Sequence, residues 1–202
     1  MCVFCCDFCS NYSEYEQQKK KVILEKYTGI KCGYCPDGEA IANSIVNANP
    51  GNAFIVNIHN AGSFSVPSAG QPDFRTPFGA VLVSQANPSG FSAGSVNRYV
   101  FSGLSMISGY TAMGRDSFVN ASVQILGHDA YVNEGAEAEI DVATRTITVN
   151  VEMYYTGSSP FATNKLNVAL LQDNTVGMIL YSEFLVKKMQ ELTFPDYLPV
   201  II

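Results

Sequence analysis

The chain has 202 residues, of which 47% are hydrophobic and 11% aromatic, enough apolar material to bury a core in one large or two small domains. Twelve Lys and Arg against eighteen Asp and Glu give a net charge of -6, and Lys19, Lys20 and Lys21 form the sole basic run, which argues against nucleic acid as a partner. No uninterrupted apolar stretch approaches the roughly 20 residues of a spanning helix, so no transmembrane span is expected. The opening MCVFCCDFC lacks the basic start and long apolar middle of a secretory signal, and the compartment stays open.

Residues 1–20 read as a cysteine-rich leader without a folding pattern. Lys21 to Thr28 is a short run of β-branched and apolar residues stopped by Gly29, the signature of a strand. Pro36 suits the first turn of a helix, and Asp37 and Glu39 suit its positive end. Ala40, Ile41, Ser44, Ile45 and Ala48 then recur at helical spacing until Asn49, Pro50 and Gly51 stop it. Ala53 to His59, AFIVNIH, is a second buried-type strand, so the first sixty residues predict a strand, helix, strand unit with a parallel pair.

Residues 60–77 are polar and rich in Gly, Ser and Pro, a long loop with room for a short helix at its end. Phe78 to Ala86 predicts a helix, and Ser95 to Phe101 predicts a third strand. Arg115 to Leu126 predicts a closing helix that presents Phe118, Val119, Ser122, Val123 and Leu126 on one face. Lys21 to Gly127 is therefore expected to be an α/β domain. After Gly127 the period changes to two: Glu137 to Asp141 and Arg145 to Thr156 alternate around a turn at Val142 to Thr144, an antiparallel hairpin. Leu166 to Gln172 predicts one more strand, giving an all-β second domain over residues 128–177, too few strands for a complete sandwich and so either small or incomplete. Met178 to Leu192 predicts an amphipathic helix within a divergent tail, 178–202.

Chemistry concentrates at Cys32 and Cys35. A Cys-x-x-Cys pair between a buried strand and a helix start suits a redox dithiol: the unpaired helix amides and Lys31 favour a thiolate on Cys32, and Cys35, one turn deeper, resolves the mixed disulfide. Gly33 and Tyr34 tune the pair. Two other readings compete. The cysteines can form a permanent structural disulfide, or join Cys2, Cys5, Cys6 and Cys9 in a four-sulfur zinc site, although Cys35 runs straight into a helix rather than onto a zinc-ribbon turn. No metal is assigned. His59 and His128 fall in different domains, and Asp73 with Arg75 reads as a helix-entry loop. No Ser/His/Asp set, phosphate loop or paired-carboxylate motif is present, and no cofactor is expected.

The segments KVILEKYTGIKCGYCPDGEAIAN, IHNAGSFSVP, DFRTPFGAVL, SGFSAGSVNR and LNVALLQDNTVG resemble the twenty-eight-kilodalton outer membrane protein family of the Bacteroidetes, cell-envelope proteins often made as lipoproteins. The likeness spans about Lys21 to Gly177. It implies a thioredoxin-like domain followed by an Ig-like β-sandwich, association with the outer membrane through a lipid anchor outside this sequence, and envelope protein thiols or disulfides as partners. It further implies that substrate is met by Phe91 and Ser92 of the loop facing the dithiol and by Tyr34 between the cysteines. In that loop the family usually reads Gly, aromatic, Pro, where thioredoxin-like proteins carry a cis-proline, and this chain has Gly90, Phe91, Ser92. Thioredoxins also place a buried acid on the strand before the dithiol; here Glu25 and Lys26 stand there, and alternation sends one of them inward.

The resemblance implies thiol-disulfide exchange on envelope proteins as one function. A non-enzymatic, outer-membrane-associated binding or adhesion protein with a structural cysteine pair is the alternative.

Overall fold

The computed structural model describes residues 16–171 and two short paired strands, Thr175–Val176 and Leu185–Val186. Two compact units divide the described chain. One comprises residues 21–127 with the short paired strands; the other joins residues 16–20 to 128–171.

The larger unit is a small mixed α/β structure. Strand β1 (Val22–Tyr27) leads to helix α1 (Cys35–Ala48) and strand β2 (Ala53–Ile58), and β1 and β2 pair in parallel with Val22 opposite Ala53. Helix α2 (Pro77–Ala86) follows a loop, then strands β3 (Ala93–Val96) and β4 (Met113–Gly114), then helix α3 (Phe118–Gly127). The sheet runs β2-β1-β3-β4, with β3 antiparallel to both neighbours.

Helices cover both faces, and strand alternation divides the core between them. Val22 and Leu24 of β1, Ala53 of β2 and Val96 of β3 pack with Ala42 and Ile45 of α1 and with Phe118, Ala121 and Ile125 of α3. Tyr27, Ile58 and Ala93, which alternate to the other face, pack with Ala86, Leu82 and Val83 of α2. Double coverage overturns one expectation: Glu25 and Lys26 are both buried, at 5% and 2% exposure, because both faces of β1 are covered from Leu24 to Tyr27, Ile23 alone staying exposed.

Other expectations change in detail. The short helical turn in the 60–77 loop comes at its start, Gly62–Ser65. The third strand ends at Val96 rather than Phe101. Asn97 and Arg98 both adopt positive φ, and the Asn97 side chain accepts from the Ile23 N–H at 3.0 Å and donates to the Lys21 carbonyl at 2.8 Å, which turns the chain off the sheet. In α3 the buried residues are Phe118, Ala121, Ser122 and Ile125, while Val119 and Val123 are exposed, so the inward face is rotated from the one expected.

In the second unit, β5 (Val132–Asp141) and β6 (Thr146–Tyr155) form an antiparallel hairpin that sets Ala136 opposite Val151, Ala138 opposite Val149 and Ile140 opposite Ile147. The Asp141 carboxylate accepts the N–H groups of Ala143 and Thr144, and Arg145 at φ 55 closes the loop. Residues 166–171 form no strand, and the described β structure here is one two-stranded sheet. Residues 16–20, expected in the leader, hydrogen-bond to this unit: Lys20 N–H donates to the His128 carbonyl at 2.9 Å, and Lys19 pairs with Asp129 at 2.6 Å. Of the helix expected over Met178 to Leu192, Leu185–Val186 is described and pairs as strand β8 with β7 (Thr175–Val176); the rest lies outside the described residues, as do Cys2, Cys5, Cys6 and Cys9.

Among the described residues no helix is long and apolar enough to cross a membrane.

Candidate functional site

Cys32 and Cys35 are joined by a disulfide, with their Cα atoms 5.4 Å apart. The link between β1 and α1 is tied down by the backbone: Cys32 N–H donates to the Gly29 carbonyl and Cys35 N–H to the Cys32 carbonyl. Helix α1 starts at Cys35, with Pro36 in its first turn, where a missing N–H costs nothing. Tyr34 stands at the cap without a side-chain capping bond; Cys35 N–H and Gly38 N–H are satisfied by the Cys32 and Tyr34 carbonyls, and the positive end of the α1 dipole meets the Cys32–Cys35 loop. Both cysteines are buried, at 2% exposure each. That differs from the expected asymmetry of an open attacking sulfur and a covered resolving one. Each sulfur is bonded to the other, so neither is a metal ligand in this state.

The loop that begins at Ala61 packs directly onto the disulfide segment. Lys31 N–H donates to the Phe64 carbonyl at 2.9 Å, and a Cβ on Gly29 would stand 2.5 Å from that same carbonyl oxygen, so this approach requires glycine. Phe64 is largely exposed, and its ring meets Phe91 edge-on with centroids 6.4 Å apart. Phe91 also borders a cavity of about 430 Å³ that Asn60, Arg75, Val83, Ser84 and Asn87 help to line.

The Phe91–Ser92 peptide bond is cis. Ser92 is buried, and its hydroxyl lies against Gly38 in the first turn of α1, where a Cβ on that glycine would meet Ser92 Oγ at 2.2 Å. Among the described residues, Ser92 Oγ has no hydrogen-bond partner. On the solvent side, Tyr34 is 67% exposed and the Arg115 guanidinium sits over its ring at 5.3 Å while also pairing with Asp37. The residues singled out in the sequence thus gather in one region: Cys32 and Cys35 at its centre, Tyr34 on the rim, Ser92 against α1 and Phe91 beside Phe64.

Two charged pairs flank β1. On the α1 face, Lys26 Nζ pairs with Glu39 in the second turn of α1. Burial pushes the Lys26 ammonium below its ordinary pKa, and the Glu39 carboxylate opposes that shift through charge and a hydrogen bond. On the α2 face, Arg98 grips the Glu25 carboxylate with two nitrogens, Ser95 Oγ donates to Glu25 at 3.2 Å, and Tyr27 OH donates to Ser95 Oγ at 3.0 Å. Desolvation, the largest cause, raises the Tyr27 phenol to about 12.

His59 lies with its ring 5.2 Å from Phe74. Asp73 and Arg75 form a two-pronged ion pair at 2.8 and 2.6 Å in the loop before α2, whose first turn Thr76 caps through its hydroxyl. Sequence reading missed Phe64 and Arg115 as neighbours of the cysteine segment, and the Lys26–Glu39 pair that ties β1 to α1. For the pair a signal was available: a lysine in an otherwise apolar strand needs a buried partner.

The chain matches no family model, no curated protein and no solved structure.

Proposed function

We propose that Cys32 and Cys35 form a redox-active pair that exchanges disulfides with proteins of the cell envelope, on a thioredoxin-like domain of the twenty-eight-kilodalton outer membrane protein family of the Bacteroidetes. One observation carries this reading: a disulfide spans the entry to α1 directly after β1, at the positive end of the helix dipole. Partial positive charge there favours a thiolate, which lowers the cost of breaking the bond. The exposed Tyr34 and Phe64 and the half-buried Phe91 offer apolar contacts for a polypeptide beside the sulfurs. The parallel β1-α1-β2 unit extended by antiparallel β3 and β4 is compatible with a thioredoxin-like domain. The envelope assignment rests on the sequence resemblance.

Equilibration of the full chain with glutathione redox buffers, followed by acid trapping and mass spectrometry, tests the reading. Reversible reduction with a potential above about -300 mV is expected. A bond that resists the glutathione pool throughout overturns it.

The 2% exposure of both cysteines favours a second reading, an outer-membrane-associated binding or adhesion protein stabilised by a permanent disulfide. That protein would lose stability on forced reduction and would transfer no disulfide to a substrate.

A further inference from the structure

We propose that the cavity between α2 and Phe91 is a carboxylate subsite, in which Arg75 takes an acidic side chain of the polypeptide that exchanges disulfides with Cys32 and Cys35. This rests on the dithiol reading of the previous subsection and gives that site a substrate class.

Arg75 lines the cavity, and Asp73 does not. A guanidinium carries five N–H donors in a flat fork. Asp73 occupies one edge of that fork, accepting from Nε at 2.8 Å and from Nη2 at 2.6 Å, and its Oδ1 also accepts the Arg75 backbone N–H at 3.0 Å. Three side-chain donors remain, and among the described residues they have no partner. Two of them, one on each Nη, run parallel at the end of the fork and match the spacing of the two oxygens of a carboxylate. Asp73 therefore fixes the guanidinium plane and leaves a second binding edge unused.

The rest of the wall suits the same ligand. Asn60 Oδ1 accepts the Thr76 N–H at 3.3 Å, and Gly79 leaves room for it, since a Cβ there would collide with that oxygen. The Asn60 amide nitrogen is left as a donor. Among the described residues the Ser84 hydroxyl and the Asn87 side chain also lack hydrogen-bond partners. Donors thus gather around a space of about 430 Å³, within the range of small-ligand sites, while Val83 and Phe91 offer apolar wall to the methylenes of an acidic side chain. Among the described lining residues Arg75 alone is charged, and Asp73 stands beside it. One cation with a carboxylate neighbour suits a singly charged, planar anion better than a doubly charged phosphate.

The cavity and the disulfide share a wall. Gly62 lines the cavity, and Phe64, two residues on in the same short turn, accepts the N–H of Lys31, the neighbour of Cys32. This path is shorter than about 20 Å, which about six residues of extended chain can span. Phe91 borders the cavity and meets Phe64 edge-on, so the two rings lie between the Arg75 subsite and the sulfurs. A polypeptide whose cysteine attacks Cys32 is therefore able to set a nearby Glu against Arg75.

Two measurements test the subsite. Blocked peptides carrying a Cys-x-x-Cys pair, with one Glu placed one to six residues from the nearer cysteine, reduce the oxidised full chain; each peptide closes its own disulfide as the Cys32–Cys35 bond opens. Rates are compared with the Gln peptide of the same spacing. At one or two spacings Glu is expected to react about fivefold faster, and Arg75→Gln is expected to abolish that preference. The net charge of -6 on the chain works against acidic peptides at long range, so a Glu preference reports a local contact. Equal Glu and Gln rates at every spacing, or a preference that survives in Arg75→Gln, overturn the proposal.

The second measurement uses unmodified oxidised protein and no thiol. The Arg75 Nε–H resonance is followed as N-acetylglutamate α-amide or N-acetylglutamine α-amide is added. A saturable shift with the glutamate compound and none with the glutamine compound is expected; no shift with either overturns the subsite, whether or not the variant folds. A shift without any Glu preference among the peptides overturns the assignment to the exchanging polypeptide and leaves a free small carboxylate as the ligand. A disulfide inert to glutathione refutes the dithiol reading instead, and the thiol-free titration then decides the carboxylate subsite by itself.

Discussion

Glu25 and Lys26 are neighbours in sequence and bury their side chains on opposite faces of the same strand, each against its own counter-charge, Arg98 and Glu39 respectively. A charge in a doubly covered sheet is tolerated when it is paired, and the two pairs differ in who can escape. Arg98 is 39% exposed at its side chain and can turn to water, whereas Glu25 cannot. Arg98→Ala is therefore expected to cost about 3–5 kcal/mol, because it strands a buried carboxylate. Glu25→Ala is expected to cost less, since Arg98 can snorkel outward. Urea unfolding of the two variants, with Arg98→Ala/Glu25→Gln as the double change that relieves the stranded charge, checks the order.

Tyr27 belongs to the same network, and its phenol is pushed up to about 12. A group whose folded pKa exceeds its unfolded value near 10 contributes stability that is complete below pH 10 and lost as pH climbs toward 12. The loss across that window is expected to be roughly 2–3 kcal/mol. Stability measured against pH for wild type and Tyr27→Phe reads it directly: the wild-type curve falls more steeply between pH 10 and 12, and parallel curves refute the assignment.

Much of the larger unit was legible because period and punctuation agreed. VILEKY and AFIVNI are apolar runs of strand length, and Pro36 and Asn49 to Gly51 bracket the helix between them. What escaped depended on contacts between distant segments. Nothing local to SVNRYVF says that Asn97 will lock its side chain onto β1, and so the strand was read past its end. Helical spacing in α3 fits either of two overlapping stripes, and the sheet chose the one holding Ala121 and Ile125. Likewise, alternation places Glu25 and Lys26 on opposite faces but cannot tell that both faces are covered. At the cysteines the motif was plain, while its surroundings were not: Phe64 and Arg115 arrive from a loop and a turn.

Asp73 and Arg75 offer an exposed counterpart to the buried pairs. The Arg75 guanidinium, chiefly through its side-chain hydrogen bonds, lowers the Asp73 carboxyl to about 2. A lowered folded pKa contributes stability above the unfolded value near 3.9, lost as pH falls toward 2, and solvent screening keeps that contribution small for a surface pair. Carboxyl ¹³C titration should place Asp73 near the acid end in wild type and return it to the ordinary carboxylate range in Arg75→Gln. The global unfolding midpoint at neutral pH should scarcely move.

Gly38 and Ser92 define the tightest contact between α1 and the segment entering β3. A methyl at position 38 would stand 2.2 Å from Ser92 Oγ but 3.3 Å from Ser92 Cβ, so the hydroxyl alone makes the clash severe. Gly38→Ala is expected to cost about 1–3 kcal/mol, in line with overpacking elsewhere. Ser92→Ala removes a buried hydroxyl that has no partner among the described residues and is expected to be neutral or slightly stabilising. Combined, the two should be far less damaging than Gly38→Ala alone, because alanine at 92 leaves a Cβ contact that a few tenths of an ångström relieve. A double-mutant cycle on thermal or urea unfolding measures that coupling. Simple additivity would show that Ser92 Oγ does not fill the space beside Gly38, and with it would go the placement of Ser92 against the first turn of the helix that carries Cys35.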